Sequence, residues 1–182
     1  MGNTASAPDG DSPVSDEDAF ESVCLGYDAK TGAEQIRVEE CLELQKKGKL
    51  FVIDTREQYE HNFSCIPGAQ LLTPSSLGMT LCSTLGTGMR YGNEEVIPTL
   101  AAQIPEGATV VCACTAGLRS GYCALDLSVR LGRPIKNLHG GIIAWFNAGG
   151  EVIAPQTKKK MNQVHTYSEQ WSKYVKDGKA HY

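Results

Sequence analysis

No apolar run in the sequence approaches the length needed to cross a bilayer, and no short apolar segment near the N-terminus reads as a secretory signal. Positive charge is not in excess either: 17 Lys and Arg against 21 Asp and Glu leave a net charge of -4 in a chain that is 41% hydrophobic. That balance gives no pull toward nucleic acid, and this class of partner is set aside. Paired metal-ligand spacings are missing as well. Cys112 and Cys114 are close together, but no Cys-x-x-Cys and no His-x-x-x-His pair supplies the other half of a tetrahedral zinc site, so no metal is expected. There is no internal repeat. The 182 residues suffice for one domain with a core plus peripheral sequence, and a monomer is expected.

What the chain does have is cysteine. Its seven cysteines, Cys24, Cys41, Cys65, Cys82, Cys112, Cys114 and Cys123, are odd in number and scattered. Free thiols in a reducing compartment such as the cytoplasm are therefore the expectation. Cys112 alternates with Val110 on an apolar run and reads as a small buried hydrophobe, and Cys41 and Leu44 read as one core stripe.

At the N-terminus, "MGNTAS" fits the pattern in which Gly2, exposed after loss of Met1, is myristoylated, with Ser6 as the favoured hydroxyl residue. One acyl chain gives only weak, reversible membrane association, on the order of 10⁴ M⁻¹, so a second signal would be needed. The acidic residues that precede Lys30 would be repelled by an anionic leaflet, and Lys158 to Lys160 read as a solvated run.

Residues 1–30, rich in Asp, Ser, Gly and Pro, are expected to form a disordered acidic arm, followed by a domain over 31–152 and an extension over 153–182. Within the domain, apolar segments of strand length alternate with helical patterns. "EECLELQKKG" is a helix ended by Gly48, "LFVID" a strand, and "AQLLTP" a short extended piece. A Gly-rich stretch over 77–92 is left unassigned, and a helix is expected over 94–103. "ATVVCAC" is a strand, "GYCALDLSVRLG" a helix with Leu125, Val129 and Leu131 inward, "IKNLHGG" a strand and "IIAWFNAGG" a last helix. Such alternation indicates an α/β domain with a central, mainly parallel sheet and helices on both faces, which binds ligands beyond the carboxyl ends of its strands. In the extension, either a short helix near 168–175 docks Trp171 and Tyr174 onto the domain or the segment is a mobile tail.

The chemistry concentrates in "CTAGLRS", residues 114–120. Cys114 ends a strand and a helix begins near Arg119 or Ser120, so the sulfur faces a helix N-terminus, where an anion is favoured. Gly117 permits a backbone turn that points successive N–H groups inward, Arg119 adds positive charge and Ser120 can donate a hydroxyl hydrogen bond. Cysteine-based phosphatases use a Cys-x5-Arg loop around phosphate. Here four residues separate Cys114 from Arg119 and six separate Cys112 from it, and the tighter ring suits one added sulfur atom.

That loop resembles the active-site loop of the rhodanese, or sulfurtransferase, family. "LFVIDTREQYE" with "IPGAQLLTP" resembles the family's first conserved region, and "NLHGGIIAW" its closing Gly-Gly-x-x-x-Trp segment. The resemblance spans about residues 34–152 and implies a rhodanese-like fold without a cofactor. It also implies a cycle in which Cys114 takes a sulfane sulfur from thiosulfate or a persulfide donor and passes it to a thiol or cyanide acceptor. On this resemblance Cys114 and Arg119 are catalytic, Thr115, Ala116, Gly117, Leu118 and Ser120 form the anion-binding loop, Asp54 and Arg56 support it from behind, and Trp145 belongs to the core. Two departures stand out. Ser64 and Cys65 replace the Gly-His that many members carry before Ile-Pro-Gly-Ala. Thr115 replaces a basic residue after the cysteine, which argues against tight binding of dianionic thiosulfate and leaves room for other donors. Arg90 could lean over the pocket, although a solvated loop arginine is the plainer reading, and His139 reads as a hydrogen-bonded structural histidine. Two other classes are kept in view: a non-catalytic adaptor module of the same fold, and a Cys-based phosphatase or arsenate reductase.

Overall fold

The computed structural model describes residues 14–73 and 95–182; Gly2, Ser6, Cys82, Arg90 and the stretch 77–92 lie outside the described residues. Five parallel strands form the central sheet: β1 (Gln35–Ile36), β2 (Leu50–Asp54), β3 (Gln70–Leu71), β4 (Thr109–Ala113) and β5 (Ile135–Leu138), in the order β1-β5-β4-β2-β3. Register follows from the apolar content of the two central strands, with Ile53 beside Cys112 and Asp54 beside Ala113. Because side chains alternate along a strand, Val52, Val111 and Ala113 face one side, and Phe51, Ile53, Val110 and Cys112 the other.

The first face is covered by α1 (Asp16–Thr31), α2 (Val38–Lys46) and α6 (Gly141–Asn147), with Trp145 fully buried. The second is covered by α4 (Val96–Gln103) and α5 (Leu118–Leu131). Between β2 and β3 lies the short α3 (Gln58–Phe63). The sheet and its two helical layers are the expected α/β architecture. On α5, however, Leu125 and Val129 are exposed, Val129 by 83%, and the inward face is Cys123, Ala124 and Leu127. That face is built of smaller side chains because α5 packs close to β4 and β5, and Leu127 joins Cys112 in the same core cluster.

The N-terminal expectation is corrected, and of the two C-terminal alternatives the docked one is found. Asp16–Thr31 is a 16-residue helix rather than part of a disordered arm. Ser15 caps it by accepting the Asp18 N–H at 3.1 Å, and the acidic first turn of Asp16, Glu17 and Asp18 complements the positive end of the helix dipole. The acidity taken for disorder is therefore a helix start, and Phe20 and Cys24, one turn apart, bury a narrow apolar stripe. The C-terminal extension is ordered as well. A hairpin of β6 (Val152–Ala154) and β7 (Lys159–Met161) leads to β8 (Val164–His165), the single turn α7 (Glu169–Ser172) and β9 (Ala180–His181), which pairs with β8. Tyr174 packs on Phe20 with ring centroids 5.0 Å apart, and Trp171 lies beside Tyr27, so the two ends of the chain hold each other. Among the described residues no helix is long and apolar enough to cross a membrane.

Candidate active site

Cys114 lies just past the carboxyl end of β4 and is 2% exposed. Gly117 takes φ +103°, a left-handed conformation that favours glycine, and this turn aims its N–H at Cys114 Sγ, at 3.2 Å. One helical turn on, the Ser120 hydroxyl lies 3.3 Å from the same sulfur. Both donors, and the start of α5 at Leu118, are placed where they could stabilise a negative charge on Sγ. Asn137 keeps the turn in place by donating to the Gly117 carbonyl at 3.0 Å. Ala116 is buried in the core beneath the loop, and Leu118 is half-buried.

The next turn of backbone also bears on the sulfur. Gly141 (φ +57°) passes so close that a Cβ there would strike the Cys114 carbonyl, and the Ile142 N–H donates to that carbonyl at 2.8 Å. Gly141 is thus needed by the approach of α6 to the cysteine, whereas a Cβ on Gly140 (φ +68°) would meet the side chains of Ala144 and Phe20. His139, which precedes the two glycines, is clamped between Asp28 Oδ2 at 2.5 Å and Glu21 Oε2 at 2.8 Å, fastening α1 to the loop that carries them. Burial pushes the Cys24 thiol of α1 up to about 12, with the charges of Glu21 and Asp28 adding to the effect.

Arg119 does not stand free in the loop. Its two terminal nitrogens donate to the Glu60 carboxylate at 2.8 and 2.9 Å, and one of them also to Thr115 Oγ1 at 2.8 Å. Glu60 is fully buried and accepts further bonds from the Glu57 N–H and the Thr115 hydroxyl. Burial raises its pKa, but the hydrogen bonds and charge of Arg119 outweigh burial and hold its carboxyl below the ordinary range. Over the guanidinium lies the ring of Tyr167, 5.0 Å from Arg119 Cζ, in a left-handed backbone conformation (φ +71°) held by a bond from its N–H to His165 Nδ1.

Asp54 and Arg56 form a buried bidentate pair with contacts of 2.9 and 2.7 Å, behind the sulfur rather than on it. Burial opposes the charge of Asp54, yet Arg56 and His61 hold its carboxyl well below the usual carboxylate range. The guanidinium also donates to the Ser64 carbonyl at 2.6 Å, and the Ser64 hydroxyl accepts the His165 N–H at 3.0 Å. The serine that replaces glycine therefore ties β8 to the domain. Cys65 exchanges backbone bonds with Ile153, and burial pushes its thiol up to about 11.

Of the predicted loop residues, Gly117 and Ser120 meet the Cys114 sulfur, Thr115 and Arg119 turn instead to Glu60, and Ala116 lies in the core, while Asp54 and Arg56 pair with each other. Glu60 and Tyr167 are absent from the sequence-based candidates. Glu60 had a signal in retrospect, since a loop arginine at a buried site requires a counter-charge, whereas Tyr167 had none, being brought in by the fold of the extension. Among the described residues no group of three or more His, Cys, Asp or Glu is placed to hold a metal.

A model of the rhodanese-like domain matches residues 37–148. A curated sulfurtransferase of Allochromatium vinosum is 40% identical over 62 residues, which are 34% of this chain and 57% of the relative, so the match spans little more than half of that protein. In fold the chain is similar to a thiosulfate sulfurtransferase from Pseudomonas aeruginosa, with a TM-score of 0.53, 19% identity, and coverage of 85% of this chain and 26% of that one. An As-Sb reductase from Leishmania major is similar at a TM-score of 0.50 and 20% identity, covering 71% of this chain and 92% of that one.

Proposed function

We propose, from the premise that the chain belongs to the rhodanese-like domain family, that it is a sulfurtransferase working through a persulfide on Cys114. The observation that carries the reading is the pair of donors on one sulfur, the Gly117 N–H at 3.2 Å and the Ser120 hydroxyl at 3.3 Å, at the head of α5. The thiolate form of cysteine is the nucleophile toward sulfane sulfur, and two hydrogen-bond donors on one sulfur stabilise that form.

In the first half-reaction Cys114 Sγ attacks the outer sulfur of a donor, thiosulfate or a persulfide. The new S–S bond forms as the donor's bond to that sulfur breaks, and the bonding pair leaves with sulfite or a thiolate. In the second, an acceptor thiolate or cyanide attacks the outer sulfur and the pair returns to Cys114. The Gly117 and Ser120 donors serve the anion at both stages, and Asn137 and Gly141 keep the ring in shape. Four intervening residues between Cys114 and Arg119 leave no Cys-x5-Arg cradle for a phosphate.

Turnover with a sulfane donor and a thiol or cyanide acceptor tests the reading. Product formation by the wild type and its loss in Cys114→Ser is the expected result. The 2% exposure of Cys114 favours a second reading, a binding module that keeps the fold without turnover, and an inactive wild type would select it.

A further inference from the structure

We propose that the donor which loads Cys114 is an organic persulfide carrying at most one negative charge, and that dianionic thiosulfate is a poor donor. The inference rests on the sulfur-transfer reading and names the donor class of that same site. Arg119 is the only cationic residue between Cys114 and Ser120, and its charge is already engaged. Glu60 takes both terminal nitrogens, Thr115 Oγ1 takes a second bond from one of them, and the Tyr167 ring lies over the guanidinium. Glu60 cannot turn away to water, because it is fully buried and holds the Glu57 N–H as well. The pair is neutral, so Arg119 acts as a clasp joining the loop, α3 and the C-terminal extension.

Among the described residues the donors aimed at the sulfur are then an amide and a hydroxyl, enough for one more sulfur atom and weak support for a sulfonate. Beside the clasp, Tyr59 and Tyr167 are each about half exposed, at 53% and 51%, and offer ring faces to a carbon substituent. Tyr167 lies beyond the family-matched residues 37–148, so this part of the rim belongs to the chain's own extension.

The charge balance separates the two donors. With R–S–SH, Sγ attacks the outer sulfur, the R–S to S bond breaks, its electron pair leaves on R–S⁻, and the proton stays on the transferred sulfur. One negative charge is present before and after. With thiosulfate, two charges meet the thiolate, and three must be held together until sulfite leaves. Without an uncommitted cation in the loop that encounter is opposed by repulsion.

Loading of the purified full chain by sodium thiosulfate and by cysteine persulfide, followed as gain of one sulfur by intact mass, tests the proposal. The wild type should load at least about tenfold faster from the persulfide, the scale of effect expected for one uncompensated charge at the reacting atoms. Thr115→Lys, which adds a second cation where the Thr115 hydroxyl now meets Glu60 and Arg119 and so leaves one positive charge in excess of the carboxylate, should shift the ratio toward thiosulfate by a similar factor. Glu60→Gln, which frees Arg119, should shift it the same way, and Thr115→Lys carries the test alone if that variant fails to fold. A smaller wild-type preference, or an unmoved ratio in the folded lysine variant, overturns the proposal while sulfur transfer stands. Loading by neither donor would instead overturn the sulfur-transfer reading, and the donor proposal with it.

Discussion

Replacing Gly141 by alanine probes the contact that shapes the sulfur ring from below. The residue has φ +57°, and an alanine there costs about 1–2 kcal/mol in backbone strain alone. Its Cβ would also meet the Cys114 carbonyl oxygen and, at 2.7 Å, the Thr115 carbonyl carbon and oxygen, all backbone atoms of the loop. Relieving such overpacking costs typically about 1–3 kcal/mol more, so the total should be about 2–5 kcal/mol, a large share of the stability of a single domain. Gly149 is the control, since it has φ +83° with nothing within 4 Å of a built Cβ and should show the backbone part alone. Urea unfolding of Gly141→Ala and Gly149→Ala beside wild type separates the two contributions. Gly141→Ala should also load sulfur more slowly than the control, because the atoms it displaces carry Cys114. Equal destabilisation of the two variants with equal loading would refute the account of why glycine is required before α6.

Other outcomes follow from burial and charge. Leu127→Ala should cost about 2–5 kcal/mol and Val129→Ala less than about 0.5 kcal/mol by chemical denaturation, since Leu127 is fully buried and Val129 is 83% exposed; comparable costs would contradict the orientation of α5. The folded-state pKa values of Asp54 and Glu60 lie below the unfolded values of about 3.9 and 4.3, so their ionised forms stabilise the fold fully above those values. That stability should begin to fall as pH drops below about 4 and be lost fully only as pH passes the lowered folded-state values, read as a urea midpoint lower at pH 3 than at pH 5, and a flat profile would count against the buried pairs. Alkylation of the native protein at pH 8 should spare Cys24, Cys41 and Cys65, whose thiols burial pushes up to about 12, 12 and 11, and early modification of any of them would contradict their placement.

The parallel sheet and its helices are legible in the sequence because buried strands such as "LFVID" and "ATVVCAC" are continuous apolar runs between helical patterns. The sulfur loop is legible for a local reason: Cys114, Gly117 and Ser120 act within seven consecutive residues, so spacing alone brings them together. What depends on distant chain segments is not legible. The acidic start of α1 looks like a solvated arm until Tyr174 and Trp171 are seen packing near its stripe, and Glu60 and Tyr167 reach Arg119 from 59 and 48 positions away by number. On α5 the sequence pattern points Leu125, Val129 and Leu131 inward, whereas of these only Leu131 packs on the core, and the close approach of the helix to the sheet selects Cys123 and Ala124.

The central claim is that Cys114 carries the sulfur. Its most direct test is peptide mapping of the protein after exposure to a persulfide donor and removal of excess reagent. A gain of about 32 Da, one sulfur atom, on the peptide containing Cys114, removable by a thiol acceptor and absent in Cys114→Ser, is the expected result. The same gain persisting in Cys114→Ser, or found on another cysteine, would contradict the account.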